Sequence, residues 1–207
     1  MSWRVELINI TPNAEKHIEY CARVCYNSLN KISEDSYKKL LPRLLKMGHY
    51  SVLSHAHATF VISGISRACS HQLVRHAHLR YLQRSQRYCD ESATEFVYPI
   101  KGIKGKIFNL TYRLCKLSYK LLRILGVKQE DARFVLPNAI GTTIVVSGTF
   151  QAWWDFLRLR LGKHAQWEIR RIAKMIYRIL HNECPHIFNE ELLKSQPSLE
   201  LDFRLED

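Results

Sequence analysis

Very little of this chain reads as β-strand, and what does is scattered. HAHATFVIS (55–63) alternates into a β-branched run, IGTTIVVS (140–147) is a second good strand, and WRVELIN (3–9) alternates loosely enough for an edge strand. Helical periodicity fills most of the rest, so there are too few strands for a doubly wound sheet. The expected fold class is α+β, a small mainly antiparallel sheet packed by long helices.

The helical segments have recognisable ends. Between Asn13 and Asn27, Ile18, Ala22, Cys25 and Tyr26 recur at helical spacing, with Asn13 placed to cap. Ser33 opens a second helix with Glu34 and Asp35 in its first turn, which closes at Gly48 and which Pro42 should kink or divide. After Gly64, residues 65–78 form a helix bearing arginine and histidine, and 80–98 read as irregular or extended up to Pro99. A long amphipathic helix spans about 104–125 and stops at Gly126. A short one follows at 128–134. Thr149 caps a helix through Arg160, and after the Gly162 break another covers roughly 164–182. The 207 residues fit one domain (1–207), with a weakly ordered tail from about Leu193.

Composition narrows the class. Apolar residues at 46% and charged residues at 24% are the balance of a soluble globular protein, and no apolar run approaches a membrane span. MSWRVELINITPNAEK lacks the apolar block of a signal peptide, so a cytoplasmic location is expected. The six cysteines include no CxxC pair and fit neither a zinc ribbon nor a disulfide framework; Cys21 and Cys25, one turn apart, read as core. A net charge of +12 attracts anions, and it is concentrated: Arg67 to Cys89 holds five arginines and three histidines with no Asp or Glu.

Four segments carry polar groups that a core would not want. GHYSVLSHAH (48–57) holds His49, His55 and His57; an H-x-H on a strand puts both rings on one face, but nothing nearby supplies a carboxylate or thiolate ligand, and no metal is expected. In HQLVRHAHLRYLQRSQRY (71–88), a helix would align His71, Gln72, Arg75, His76 and Leu79, a face suited to phosphate or ring-edge recognition or, more plainly, to solvent. In ARFVLP (132–137), Arg133 is either a favourable charge at a helix C-terminus or a ligand contact; taken alone, the segment favours the former. LRLRLGKHAQWEI (157–169) sets Arg160 before a glycine break and a new helix N-terminus, a natural anion site, with structural roles favoured for His164 and Trp167.

In order and spacing these blocks resemble the flavin-dependent thymidylate synthases. The family signature runs RHR, seven residues, Ser, then Arg-Tyr; here Arg75-His76-Ala77, seven residues, Ser85 and Gln86-Arg87-Tyr88 reproduce the spacing. ARVCYNS (22–28) and GHYSVLSH (48–55) look like the family's ARVxY and GHxSxxxH segments, and ARFVLP and LRLRxxxHAQWEI match blocks downstream, so the resemblance covers roughly residues 3–190. It implies that FAD is contacted by His49, Ser51, Arg75 and His76, with Ala77 and Gln83 at signature positions and Cys25 and Asp155 near its site. It implies that Gln72, Gln83, Ser85, Arg87 and Arg133 hold dUMP, and that Arg160 faces the pyrimidine and polarises it as the catalytic residue. It further implies reductive methylation of dUMP to dTMP with methylene-tetrahydrofolate and NADPH as co-substrates, no protein nucleophile, and a homotetramer whose sites draw on several subunits.

Three departures stand out. Ala77 replaces the signature's usual second arginine, leaving one flavin-phosphate contact to be lost or supplied by His78 or Arg80. Gln83 stands where Glu is common, keeping hydrogen-bonding capacity but unable to act as a general base, and Asp155 stands where Asn is often found. Two alternatives follow: a family member that binds flavin and dUMP without turnover, and a single-stranded nucleic-acid-binding protein stacking bases on Tyr81 and Tyr88. Under the enzyme reading neither nucleic acid nor membrane is a partner.

Overall fold

A computed structural model describes residues 3–98, 100, 102–194 and 200–204. Four antiparallel strands, β1 (Arg4–Ile10), β2 (His57–Ser66), β3 (Arg80–Gln83) and β4 (Gly141–Thr149), form one sheet in the order β1-β2-β4-β3. The three strands read from the sequence are there. β2 and β4 run side by side from His57↔Thr149 to Ser66↔Gly141, with a bulge between Ser63 and Ile65 where Gly64 adopts φ 75°.

Alternation gives this sheet one dry face. Ala58, Phe60 and Ile62 of β2 and Ile144 and Val146 of β4 are fully buried, whereas Thr59 and Ser147 meet on the other face through a 3.0 Å hydroxyl–hydroxyl bond. The dry face is covered by α6 (Phe150–Arg160) and α7 (Trp167–Glu183). Trp153 stands edge-on to Phe60 and its indole N–H donates to the Ala58 carbonyl at 3.0 Å, so this bulky core side chain also satisfies its polar atom. Thr149 caps α6 by accepting from Ala152 N at 3.1 Å, as expected. Gln166 caps α7, which starts at Trp167 and not at residue 164.

Elsewhere the boundaries shift for identifiable reasons. Helix α1 (Ala14–Cys25) follows Asn13, but Asn13 is left-handed (φ 48°) and its side chain makes no cap bond. Ser33 opens no helix: it lies in the turn before α2 (Ser36–Lys46), where its N–H and carbonyl both engage the Ser36 hydroxyl. Pro42 lies inside α2 without dividing it, held by burial of Leu41, Leu44 and Leu45. The expected 65–78 helix shrinks to α3 (Arg67–Leu73), because Ser66 finishes β2 and accepts from Cys69 N as the cap. Two turns then carry the chain into β3, at the start of the stretch read as irregular or extended, where it pairs with β4.

Helix α4 (Gly102–Ile124) is the long amphipathic one, closed by Gly126 at φ 84°. It packs little of itself. Ile103, Ile107, Leu110, Leu114, Leu117, Leu121 and Ile124 are all at least half exposed. Their alternating steps of four and three make a continuous heptad stripe. After it come α5 (Gln129–Ala132) and, late in the chain, α8 (Glu190–Lys194). Leu193, where a loose tail was expected to begin, is buried in α8; Leu201 bridges to Gly162 and Phe203 packs edge-on against Tyr177. The rest of that expected tail, 195–199 and 205–207, lies outside the described residues, as does Pro99. No helix among the described residues is long and apolar enough to cross a membrane.

Candidate functional site

The turn after α3 and the end of α6 meet in a compact polar knot. Arg160 Nε donates to His76 Nε2 at 2.9 Å, and its terminal nitrogen donates to the Gln72 carbonyl at 3.2 Å. His76 also packs edge-on against Phe156 at 5.0 Å between centroids. Burial, aided by the Arg160 charge, pushes the His76 imidazole down to about 4, so it is neutral at pH 7. A neutral ring accepting at Nε2 carries its proton on Nδ1, which leaves one fixed donor facing away from Arg160. The Tyr81 hydroxyl lies 2.8 Å from both the Leu73 and His76 carbonyls and clasps the turn from beneath.

Two features outside the expected set hold this turn in place. Gly148 on β4 has no Cβ, and one placed there would sit 2.3 Å from Leu79 Cδ2; the glycine makes the socket into which buried Leu79 fits. Glu168, 2% exposed in the first turn of α7, accepts from Ser66 N at 2.8 Å, from Ser66 Oγ at 2.5 Å and from Trp3 Nε1 at 3.3 Å. It therefore fixes the residue that caps α3. Trp167 packs edge-on to Trp3 at 5.8 Å, the structural role expected for it.

Gln83 connects this knot to a second group. Its amide donates to Ser70 Oγ at 2.9 Å and Thr142 Oγ1 at 3.2 Å, two neutral partners. Beyond it the chain turns through Ser85, whose hydroxyl accepts from Arg87 N at 3.2 Å. Arg87 pairs with Glu130 at 2.6 Å, and Arg133 Nε donates to the Glu130 carbonyl at 2.9 Å, so Arg87 and Arg133 converge on one residue of α5. The Arg133 bond caps a short helix end, the role its segment favoured when read alone. Behind them Arg67 donates to the Arg84 carbonyl at 3.0 Å while its own Nε is buried without a partner. Buried Glu91, 3.5 Å from Arg84 and bonded by Thr94, is the carboxylate beneath this arginine group. Four guanidinium groups near two carboxylates suit a phosphate.

The remaining expected residues lie around these groups. Arg75 and Ala77 are exposed on the turn. Arg80 braces that turn through the carbonyls of Ala77 (3.0 Å) and Leu79 (3.2 Å), while His78 is exposed on it. Asp155, on α6 near Arg158 and His78, is held toward its neutral form by burial. His49 and Ser51 lie at the start of the 3₁₀ segment Tyr50–His55, which reaches α6 through the tilted Tyr50–Trp154 pair and a 2.5 Å Ser54–Gln151 bond. Because His55 ends that segment, His55 and His57 do not share a strand face. Cys25 is exposed at the end of α1, not core, and its thiol reaches only the Cys21 carbonyl at 3.7 Å. The expected helical face is likewise corrected: α3 ends at Leu73, and Gln72 meets His76 through Arg160 and not by helical stacking.

A phosphate-bearing flavin fits the donors present. Arg158 and His78 lie beside a carboxyl, Asp155, that burial already biases toward the uncharged form, and exposed Arg75 and the Nδ1–H of His76 are further donors on the turn after α3. A cavity of about 710 Å³ lies between α1 and α2 and shares only His49 with the expected residues.

The chain has clear relatives among known proteins. Residues 6–186 match the family model described as thymidylate synthase complementing protein. The chain is 38% identical over 199 residues to the flavin-dependent thymidylate synthase of Geobacter sulfurreducens, covering 90% of this chain and 86% of that protein. It is 42% identical over 200 residues to the protein of the same name from Pyrococcus abyssi, covering 87% and 80%. A Mycobacterium leprae protein of that name is 36% identical over 196 residues. The matched span takes in both polar groups, from Ser66 to Glu168, and the chain belongs to the thymidylate synthase complementing protein family, that of the flavin-dependent thymidylate synthases.

Proposed function

We propose that this chain methylates dUMP to dTMP with methylene-tetrahydrofolate as carbon donor, NADPH as reductant and FAD as cofactor. The observation that carries the reading is the interlock of Arg160 with His76 and the Gln72 carbonyl. It holds a guanidinium rigidly beside an open surface, where it would stabilise negative charge developing on a pyrimidine ring. When bound, the flavin supplies the hydride equivalent that completes the methyl group. Ser85, Arg87 and Arg133 would hold the nucleotide phosphate, and Gln72 and Gln83 the base and sugar. His49, Ser51, Arg75 and His76 would contact the flavin, with Ala77, Gln83, Cys25 and Asp155 at its margin. Gln83 binds and does not move a proton, since its amide cannot act as a base.

The sites would be completed in a homotetramer. The exposed heptad stripe of α4 supports pairing with a second copy, because seven apolar side chains at coiled-coil spacing need a cover. The share of one hydrophobic core among all four strands and helices α1, α2, α6, α7 and α8 supports a single domain, and a cytoplasmic location follows from the sequence reading. The nucleic-acid reading loses support: Tyr81 packs against the core with its hydroxyl engaged, and only Tyr88 remains as a stacking platform.

The deciding experiment is a visible spectrum of the purified protein, repeated anaerobically with NADPH, with and without dUMP, followed by assay of dTMP. Flavin bands that bleach with NADPH, bleach differently with dUMP and lead to dTMP are expected. Bleaching without dTMP would leave a binding protein, and a colourless protein taking up no FAD would end the enzyme reading.

A further inference from the structure

The cavity between α1 and α2 is unlike the rest of the basic surface. Its base is apolar, with Ala22, Leu40 and Leu44, and Tyr26 and Met47 stand at its edge, 68% and 59% exposed. Lys31, Lys39, Arg43 and His49 line it too, and the one lining carboxylate, Asp35, is taken up by Lys38 at 2.8 Å. Three other cations on the same helices are paired, Lys38 with Asp35 at 2.8 Å, Lys46 with Glu191 at 2.5 Å and Arg23 with Glu19 at 2.8 Å, and Lys16 lies over the Tyr37 ring. Among the described residues, Lys31, Lys39 and Arg43 have no carboxylate partner.

Lys39 and Arg43 are four residues apart on α2, a like-charge spacing that costs helix stability unless something negative sits between them. The walls are fixed in advance. Glu19, 2% exposed, accepts from Arg23 Nε at 2.8 Å and from Ser36 Oγ at 2.7 Å, tying α1 to the start of α2. At about 710 Å³ the cavity lies within the range that holds small organic ligands, roughly 300–1,000 Å³. Apolar plates beside unpaired cations suit a flat group that carries several negative charges.

We infer that this cavity binds the anionic tail of an aromatic co-substrate whose reacting ring lies toward His49. Tyr26 and Met47 take its planar portion, and Lys31, Lys39 and Arg43 take its carboxylates or phosphate. This rests on the proposed synthase reading, which supplies two molecules of that chemistry, a polyglutamyl folate and the 2′-phosphoadenosine of NADPH.

The test is equilibrium binding of pteroylpentaglutamate, NADP⁺ and dUMP to the FAD-loaded protein and to its Lys39→Ala/Arg43→Ala variant. Because it requires no turnover, it stays readable if no dTMP is formed. The expected result is at least tenfold weaker binding of pteroylpentaglutamate, of NADP⁺ or of both, with dUMP affinity unchanged. Loss for the pentaglutamate but not the monoglutamate assigns the folate tail, and loss for NADP⁺ but not NAD⁺ assigns the 2′-phosphate. A Lys39→Arg/Arg43→Lys variant, which keeps both charges, should restore the affinity. Unchanged affinity for both charged probes, or an equal loss that includes dUMP, would overturn the proposal.

Discussion

The two polar groups are built by opposite means. Around His76 the geometry is locked from within, by a neutral imidazole, a guanidinium bonded twice, a tyrosine clasp and a leucine set in a glycine socket. Around Arg87 it is held at the surface, by an ion pair with Glu130 in which Arg87 is 59% exposed. A rigid knot suits a group that must meet charge developing in a reaction, because it reorganises little. A surface pair suits a phosphate grip, because the incoming phosphate can replace a carboxylate of the same sign.

The contrast can be broken most severely at Glu168. Glu168→Ala strands the Ser66 N–H and the Trp3 indole and should cost about 3 kcal/mol or more in a urea titration, since each buried unpaired donor costs roughly 1–3 kcal/mol. Flavin and dUMP binding should fall together. Next, Arg160→Lys keeps the charge but cannot reproduce both bonds. We expect dTMP formation to drop about 100-fold, the scale for losing one fixed electrostatic donor, with dUMP affinity changed far less. At the other group, Arg87→Ala should weaken dUMP about tenfold or more through a lost charge-assisted bond and leave bound flavin and thermal stability nearly intact. Equal loss of both ligands would merge the two groups into one. Glu130→Gln should tighten dUMP by only about two- to fivefold, the worth of an exposed pair, as measured by titration calorimetry.

A further effect, on stability and not on binding, concerns pH. The His76 imidazole is pushed down to about 4, below its ordinary value, so between about pH 4 and 6.5 the unfolded chain binds the extra proton. Stability should therefore rise with pH across that window and be fully present above it. His76→Phe should flatten that part of a pH–stability curve, and an unchanged curve would show that the ring is solvated and not desolvated by Phe156 and Arg160.

What could be read in advance was local. Thr149 as a cap, Gly126 as a stop, and the strands around Phe60 and Ile144 all announce themselves within a few residues. Strand β3 was legible only as part of an irregular or extended stretch, because RYLQ is short and pairs with a strand more than sixty residues away. Glu168 carries no local sign of its role, since its partner Ser66 is 102 residues distant. Nor does Glu130, 43 residues from Arg87. The candidate residues were reachable only as a spaced motif, and Cys25, read as core from its helical spacing, faces solvent because α1 ends there.

The socket at Gly148 has a mechanical consequence. Leu79 plugs it immediately before β3 pairs with β4, so that strand cannot slide in either direction without first withdrawing a buried side chain. On the proposed reading, adjustment to a nucleotide would fall to the segment beyond Arg84, whose N–H makes a last bond to the Thr143 carbonyl of β4. The part upstream would stay still, and the two could be tuned by mutation independently.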